Sequence, residues 1–178
     1  MGKVRIPGKA FLFCGLLYAT DDLFEKARTA LEELFGPVCR EARGFPFTVT
    51  DYYRDELGGE IYKGFLFFDR FIPMESIADI KIETNGLEKA FSPSGEKRII
   101  NLDPGYLDLA KVILATTKDR AHRLYLKDGI YGEVEYTYQK DSYVPSPWAY
   151  PDYYQESYIF LFNEMRRYYH NRLRSGIS

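Results

Sequence analysis

The segment KAFLFCGLLYATDDLFEKARTALEELFGP, residues 9–37, carries the reading on which the fold rests. Its first ten residues, Lys9–Tyr18, form a continuous apolar run, the pattern of a strand buried on both faces. Thr20 then offers a side-chain oxygen to an incoming helix, and Asp21 and Asp22 put negative charge where the helix dipole favours it. Leu23, Phe24, Ala27, Ala30, Leu31 and Leu34 recur at three- and four-residue spacing, which predicts an amphipathic helix over residues 21–35. Gly36-Pro37 ends it.

Working outward, Val38–Ala42 reads as a short strand. Phe45–Tyr53 (FPFTVTDYY) reads as an extended piece that Pro46 confines to an edge or loop. Gly58-Gly59 makes a turn, and Glu60–Phe71 (EIYKGFLFFDRF) is a strong strand. Pro73 suits the first turn of a helix whose apolar face is Ile77, Ile80, Thr84, Leu87 and Phe91. Ser92-Pro93-Ser94-Gly95 is a loop, and Lys97–Leu102 returns as a strand. Strand, helix, strand, strand, helix, strand is the ferredoxin-like βαββαβ order, in which two helices pack on one face of an antiparallel sheet.

The second half extends this α+β core. Asp103-Pro104-Gly105 reads as a turn and Leu107–Thr116 as a short helix. His122–Lys127 and Ile130–Tyr138 form a hairpin, for which a three-residue loop Lys127-Asp128-Gly129 is expected. That register sets Leu126 opposite Ile130 and Leu124 opposite Gly132, with Tyr125 facing Tyr131 and Arg123 facing Glu133. After the Pro- and Tyr-rich stretch Tyr143–Tyr154, a terminal helix at about 155–174 carries the stripe Tyr158, Leu161, Phe162, Met165, Tyr168, Tyr169 and Leu173. Arg166, Arg167, Arg172 and Arg174 gather toward its carboxyl end, where the dipole favours cations. No repeat or linker divides residues 1–178, so a single domain is expected.

Composition narrows the function classes. The 16 Tyr and 13 Phe favour a dense aromatic core with half-wet rims. A net charge of −2, from 24 basic and 26 acidic side chains, argues against a dedicated nucleic-acid binder. The aromatic and basic signature strings of an RNA-binding ferredoxin-like sheet are missing as well. No apolar run reaches membrane-spanning length and no signal peptide is legible, so the cytoplasm is the default location. Cys14 and Cys39 make no disulfide framework, and two histidines cannot build a multi-histidine metal centre. A carboxylate Mg²⁺ site needs few protein ligands and is compatible with the composition. A phosphate loop fails. Gly2–Lys9 has the wrong glycine spacing, lacks a hydroxyl residue after its lysine and precedes the first strand. Thr117-Lys118-Asp119 lacks the residue that separates lysine from aspartate in a guanine-specificity motif. No Gly-x-Ser-x-Gly turn occurs either.

Four polar segments remain, each at the end of a predicted element: 50–53, 101–106, 116–123 and 148–153. Turn and cap hydrogen bonds account for many of these side chains. The strings Asn101–Tyr138, Pro147–Tyr153 (PWAYPDY) and Tyr158–Leu173, with Phe47–Tyr53 and Phe11–Tyr18, resemble the prokaryotic family known as domain of unknown function 4416. The resemblance implies that the four segments belong to a family pattern. It implies no activity.

The expectation is a small protein that binds or acts on an anionic molecule, phosphorylated or nucleotide-like. Lys118, Arg120 and Arg123 would supply positive charge, and His122 an acid–base group, since imidazole titrates near neutrality. Asp103 and Asp152 would orient or coordinate, and Tyr106, Trp148 and Tyr150 would form aromatic walls. The competing expectation is a non-catalytic interaction or homodimerisation module using exposed aromatics.

Overall fold

The computed structural model describes residues 2–49, 57, 60–92 and 98–176. β1 (Ala10–Tyr18) is buried along its whole length, as its apolar run requires. α1 (Asp21–Phe35) begins where Thr20 Oγ1 accepts the Leu23 N–H at 3.3 Å. It ends at Gly36, whose φ of 92° is a left-handed conformation that costs glycine little. β2 (Val38–Pro46) and β3 (Tyr62–Ile72) follow. A 3-10 turn at Met74–Ser76 leads into α2 (Ile77–Phe91), and β4 (Asn101–Leu107) comes next. The chain continues with β5 (Lys111–Thr116), β6 (Leu124–Lys127), β7 (Ile130–Gln139), β8 (Ser142–Pro145), a 3-10 turn at Pro151–Tyr154 and α3 (Glu156–Arg174).

The strands form one antiparallel sheet in the order β2-β3-β1-β4-β5-β7-β6, with β8 added to β7. This corrects the expected ferredoxin-like sheet, because four further strands stand beside β4 and the order of the whole is different. The predicted helix at Leu107–Thr116 is also corrected. Leu107 pairs with Val112 and Gly105 with Leu114, so this stretch is the hairpin of β4 and β5. Asp108 makes the turn between them: its Oδ1 accepts the N–H groups of Ala110 and Lys111 at 2.7 and 2.8 Å. Val112, Ile113 and Leu114 then alternate between the two faces of the sheet, and the first two are β-branched, a shape that strands favour. Asp103-Pro104-Gly105 is accordingly strand, not turn.

α1 and α2 bury Phe24, Ala27, Leu31, Ile77 and Ile80 against Leu12, Cys14, Leu16, Leu66 and Phe68, all on one face of the sheet. The opposite face is not left open, as two helices alone would leave it. α3 covers it, packing Phe162 against Phe13, Phe65 and Phe67 at ring-centroid distances of 5.0, 5.4 and 5.4 Å. Two cores therefore sandwich a single sheet. Arg166 ties α3 down by donating from Nε to the Leu109 carbonyl at 2.8 Å while lying over the Tyr138 ring. Among the described residues, no helix is long and apolar enough to cross a membrane.

The β6–β7 hairpin keeps most of its expected register. Leu124 pairs with Gly132 and Tyr125 with Tyr131, but the tip is tighter than a three-residue loop. Lys127 pairs with Ile130 across Asp128-Gly129, both at positive φ, and the extra residue is absorbed as a bulge at Leu126.

Candidate functional site

The β4–β5 ladder stops at Gly105–Leu114, although both strands run on, β4 back to Asn101 and β5 forward to Thr116. Pro104, the next residue of β4, has no N–H to give to a ladder. Gly105 itself is fixed by crowding: a Cβ there would lie 2.4 Å from the Ile113 carbonyl oxygen and 2.6 Å from Phe13. The two strands thus pair over three residues, most tightly at Gly105, and their pairing ends there. Polar side chains gather where they part.

One recess, lined by Lys81, Asn101, Asp103, Thr116, Lys118 and Tyr150 among others, opens to the surface. A second, of about 20 Å³, lies between Lys63, Asp103, Leu114, Tyr150 and Asp152. Asp103 and Tyr150 are common to both. Lys81 reaches from α2 to donate to the Leu102 carbonyl at 2.6 Å and stands 3.4 Å from Asp103 Oδ1. Asn101 Nδ2 donates to Asp103 Oδ2 at 2.5 Å. Burial pushes the Asp103 carboxyl upward, but the Lys81 and Lys63 ammonium groups and the Asn101 amide outweigh it and hold the pKa below the ordinary value. Glu88, buried on α2, accepts the Leu102 N–H at 2.6 Å, and Arg98 bridges Glu88 and Asn101.

Beside the opening, Glu133 is the hub of a second cluster. Its Oε2 accepts from Arg123 Nε at 2.7 Å, and its Oε1 pairs with His122 Nε2 at 2.9 Å. Arg123 also donates to the Tyr150 hydroxyl and the Lys118 carbonyl, each at 2.9 Å, so this arginine positions two residues of the opening. Burial pushes the Tyr150 hydroxyl up to about 12, with the Asp103 charge adding to it. Behind Tyr150, the Glu135 carboxyl accepts the Tyr150 N–H at 3.0 Å. Burial, and then the Glu133 charge, raise the Glu135 pKa well above its usual value.

Of the sequence-predicted residues, Asp103, Lys118, Tyr150 and Asp152 line the paired recesses. Arg123 and His122 act one step behind them, through Glu133. Trp148 stands apart, 65% exposed, with its ring stacked on His122 at 5.4 Å and an interplanar angle of 5°. Arg120 is exposed and donates to the neighbouring Asp119 carbonyl, outside both recesses. Tyr106 does not join the group: it faces the core under α1 and α2, because alternation along β4 puts it on the other side from Asp103. Residues 50–53 lie outside the described residues.

The reading of the sequence passed over Lys63, Lys81, Glu88 and Glu135. Signals for them were present. Lys63 interrupts an apolar strand, and Lys81, Thr84 and Glu88 share the helical face of Ile77 at spacings of four, three and four. Cys14 is buried in the core, where loss of solvation pushes its thiol far up, so it is no nucleophile. Among the described residues, no three His, Cys, Asp or Glu side chains group as a metal site.

No curated protein and no solved structure matches this chain. Residues 8–169 match one protein family across nearly the whole sandwich, including β4, β5, Glu133 and Tyr150. The chain belongs to the family described as Domain of unknown function (DUF4416).

Proposed function

We propose that the protein binds or acts on a small anionic molecule of the phosphorylated or nucleotide-like class at the parting of β4 and β5. The observation that carries this reading is the convergence of Lys81, Lys118, Asn101, Thr116 and Tyr150 around Asp103 at a gap in the sheet. Ammonium, amide and hydroxyl groups are donors that match phosphate oxygens, and a cleft between two interior strands excludes enough water to strengthen each contact. Asp103, held as a carboxylate by two lysines, would orient a ligand hydroxyl or coordinate Mg²⁺ delivered with the phosphate. His122 would exchange protons at the rim, with its ring fixed by Glu133 and Trp148. The cytoplasm suits such a ligand. The test is a thermal-shift screen of inorganic phosphate, pyrophosphate and nucleoside phosphates, with and without Mg²⁺. Selective stabilisation by one of these anions supports the reading, and no shift with any of them removes it.

The same reading treats β1–β4 with α1 and α2 as a ferredoxin-like unit extended by β5–β8 and α3. Its support is the neighbour order β2-β3-β1-β4 within the larger sheet and the packing of both helices on one face.

A second reading, self-association, is favoured by β6. This edge strand exposes Leu124, Tyr125 and Leu126 at 73, 62 and 40%. Light scattering that finds only monomer at high concentration would remove it.

A further inference from the structure

One carboxylate oxygen in the inner recess lacks a hydrogen-bond donor among the described residues. Asp152 is 3% exposed, yet its Oδ2 accepts no hydrogen bond from the described residues, and Lys63 Nζ stands 3.6 Å away. Glu135 Oε1, next to it, is also buried without a partner among the described residues. Lys63 is 4% exposed and held by the rings of Phe65 and Tyr153, whose centroids lie 5.6 and 5.5 Å from its ammonium. Its stem crosses Gly15, where a Cβ would stand 3.3 Å from Lys63 Cε. Gly15 thus leaves room for the lysine to lie flat over β1.

A buried carboxylate oxygen without a donor costs stability, so a fold that keeps one has a use for it or fills it. Asp103 already accepts from Lys81 and Asn101, whereas Asp152 Oδ2 has only the Lys63 ammonium at 3.6 Å. An oxygen without a donor favours an incoming donor group over a second anion. About 20 Å³ accommodates a group the size of one water molecule, which is also the size of an ammonium head. The recess lies beside the outer opening, with Asp103 and Tyr150 common to both.

We infer that the ligand is a phosphorylated amine: its phosphate lies at the outer opening and its ammonium enters the inner recess, donating to Asp152 and Asp103. This rests on the anion site proposed above and names the chemistry of its substrate. Lys63 then serves as a spacer charge. It stands 3.6 Å from Asp152 Oδ2 without donating a hydrogen bond to it, leaving that oxygen for the ligand.

The experiment compares O-phosphoethanolamine with ethyl phosphate, which lacks the amine, by isothermal titration calorimetry on the whole chain. A hydrogen bond to a charged group predicts a preference of about tenfold or more for O-phosphoethanolamine. Asp152→Asn should reduce that preference to less than about threefold. Equal binding of the two compounds to the unsubstituted protein overturns the inference, assigns the recess to an internal water, and leaves the outer anion site standing. Binding of neither overturns both. Should Asp152→Asn fail to fold, the two titrations of the unsubstituted protein still decide.

Discussion

Arg123, just ahead of β6, pairs with Glu133 of β7, with Nε and Oε2 2.7 Å apart and side chains only 6 and 2% exposed. The pair joins the edge hairpin to Tyr150 and Lys118 of the opening, so its loss affects both stability and site. Removing one partner of a buried pair strands the other charge. Glu133→Ala should therefore lower unfolding free energy by about 3–5 kcal/mol in urea denaturation. A cost under about 1 kcal/mol, typical of surface pairs, would mean that water already satisfies Arg123.

Two glycines give opposite expectations. At Gly105 an added Cβ meets backbone and a ring at 2.4 and 2.6 Å, so Gly105→Ala must push β4 away from β5. The expected loss is about 2 kcal/mol or more, as for overpacked cores. Gly86, inside α2, has nothing within 4 Å of the point where an alanine methyl would stand, and Gly86→Ala should raise stability by about 0.5–1 kcal/mol. Denaturation midpoints of both variants, measured side by side, check the pair.

Phe162 tests the second core. Its ring meets Phe13, Phe65, Phe67, Tyr136 and Tyr153 at 5.0 to 6.0 Å. Phe162→Ala should cost about 3–5 kcal/mol and Phe162→Leu clearly less. Equal, small costs would show that α3 rests loosely on the sheet.

Glu135 sets a pH dependence. Its folded pKa lies well above its ordinary 4.5, so between those values the native state holds a proton that the unfolded chain has lost. The stabilisation linked to that proton is complete below about pH 4.5 and is lost as pH rises through the folded pKa. Glu135→Gln, which stays neutral, should flatten this decline and gain on the unsubstituted protein as pH rises. Asp103 acts with the opposite sign, but only below its ordinary 3.8, outside this range. Urea midpoints at about pH 5 and pH 8 measure the difference. A parallel decline in the Gln variant would place the titration elsewhere.

Much of this architecture was legible in local sequence. The apolar run of β1, the Thr20 cap and the Gly36 stop specify their elements through short-range physics, and the Arg123–Glu133 pairing followed from turn chemistry and strand alternation. What escaped were long-range effects. Pro104 and Gly105 read as turn residues; only the packing of Phe13 and Ile113 against them explains their place inside a strand. Residues 107–116 suit a helix by spacing, and the Asp108 turn with β-branched pairing decides for a hairpin. Lys63 and Lys81 were passed over because a lysine within an apolar pattern reveals its partner only once a carboxylate distant in sequence, Asp152 or Asp103, lies beside it.

The central claim, that the parting of β4 and β5 receives a small anion, is tested most directly by ¹⁵N NMR during titration with pyrophosphate. Amide shifts that change saturably at Asn101–Asp103, Thr116–Lys118 and Tyr150 are the predicted result. Changes confined to Arg172 and Arg174 at the end of α3, or none at all, would contradict it.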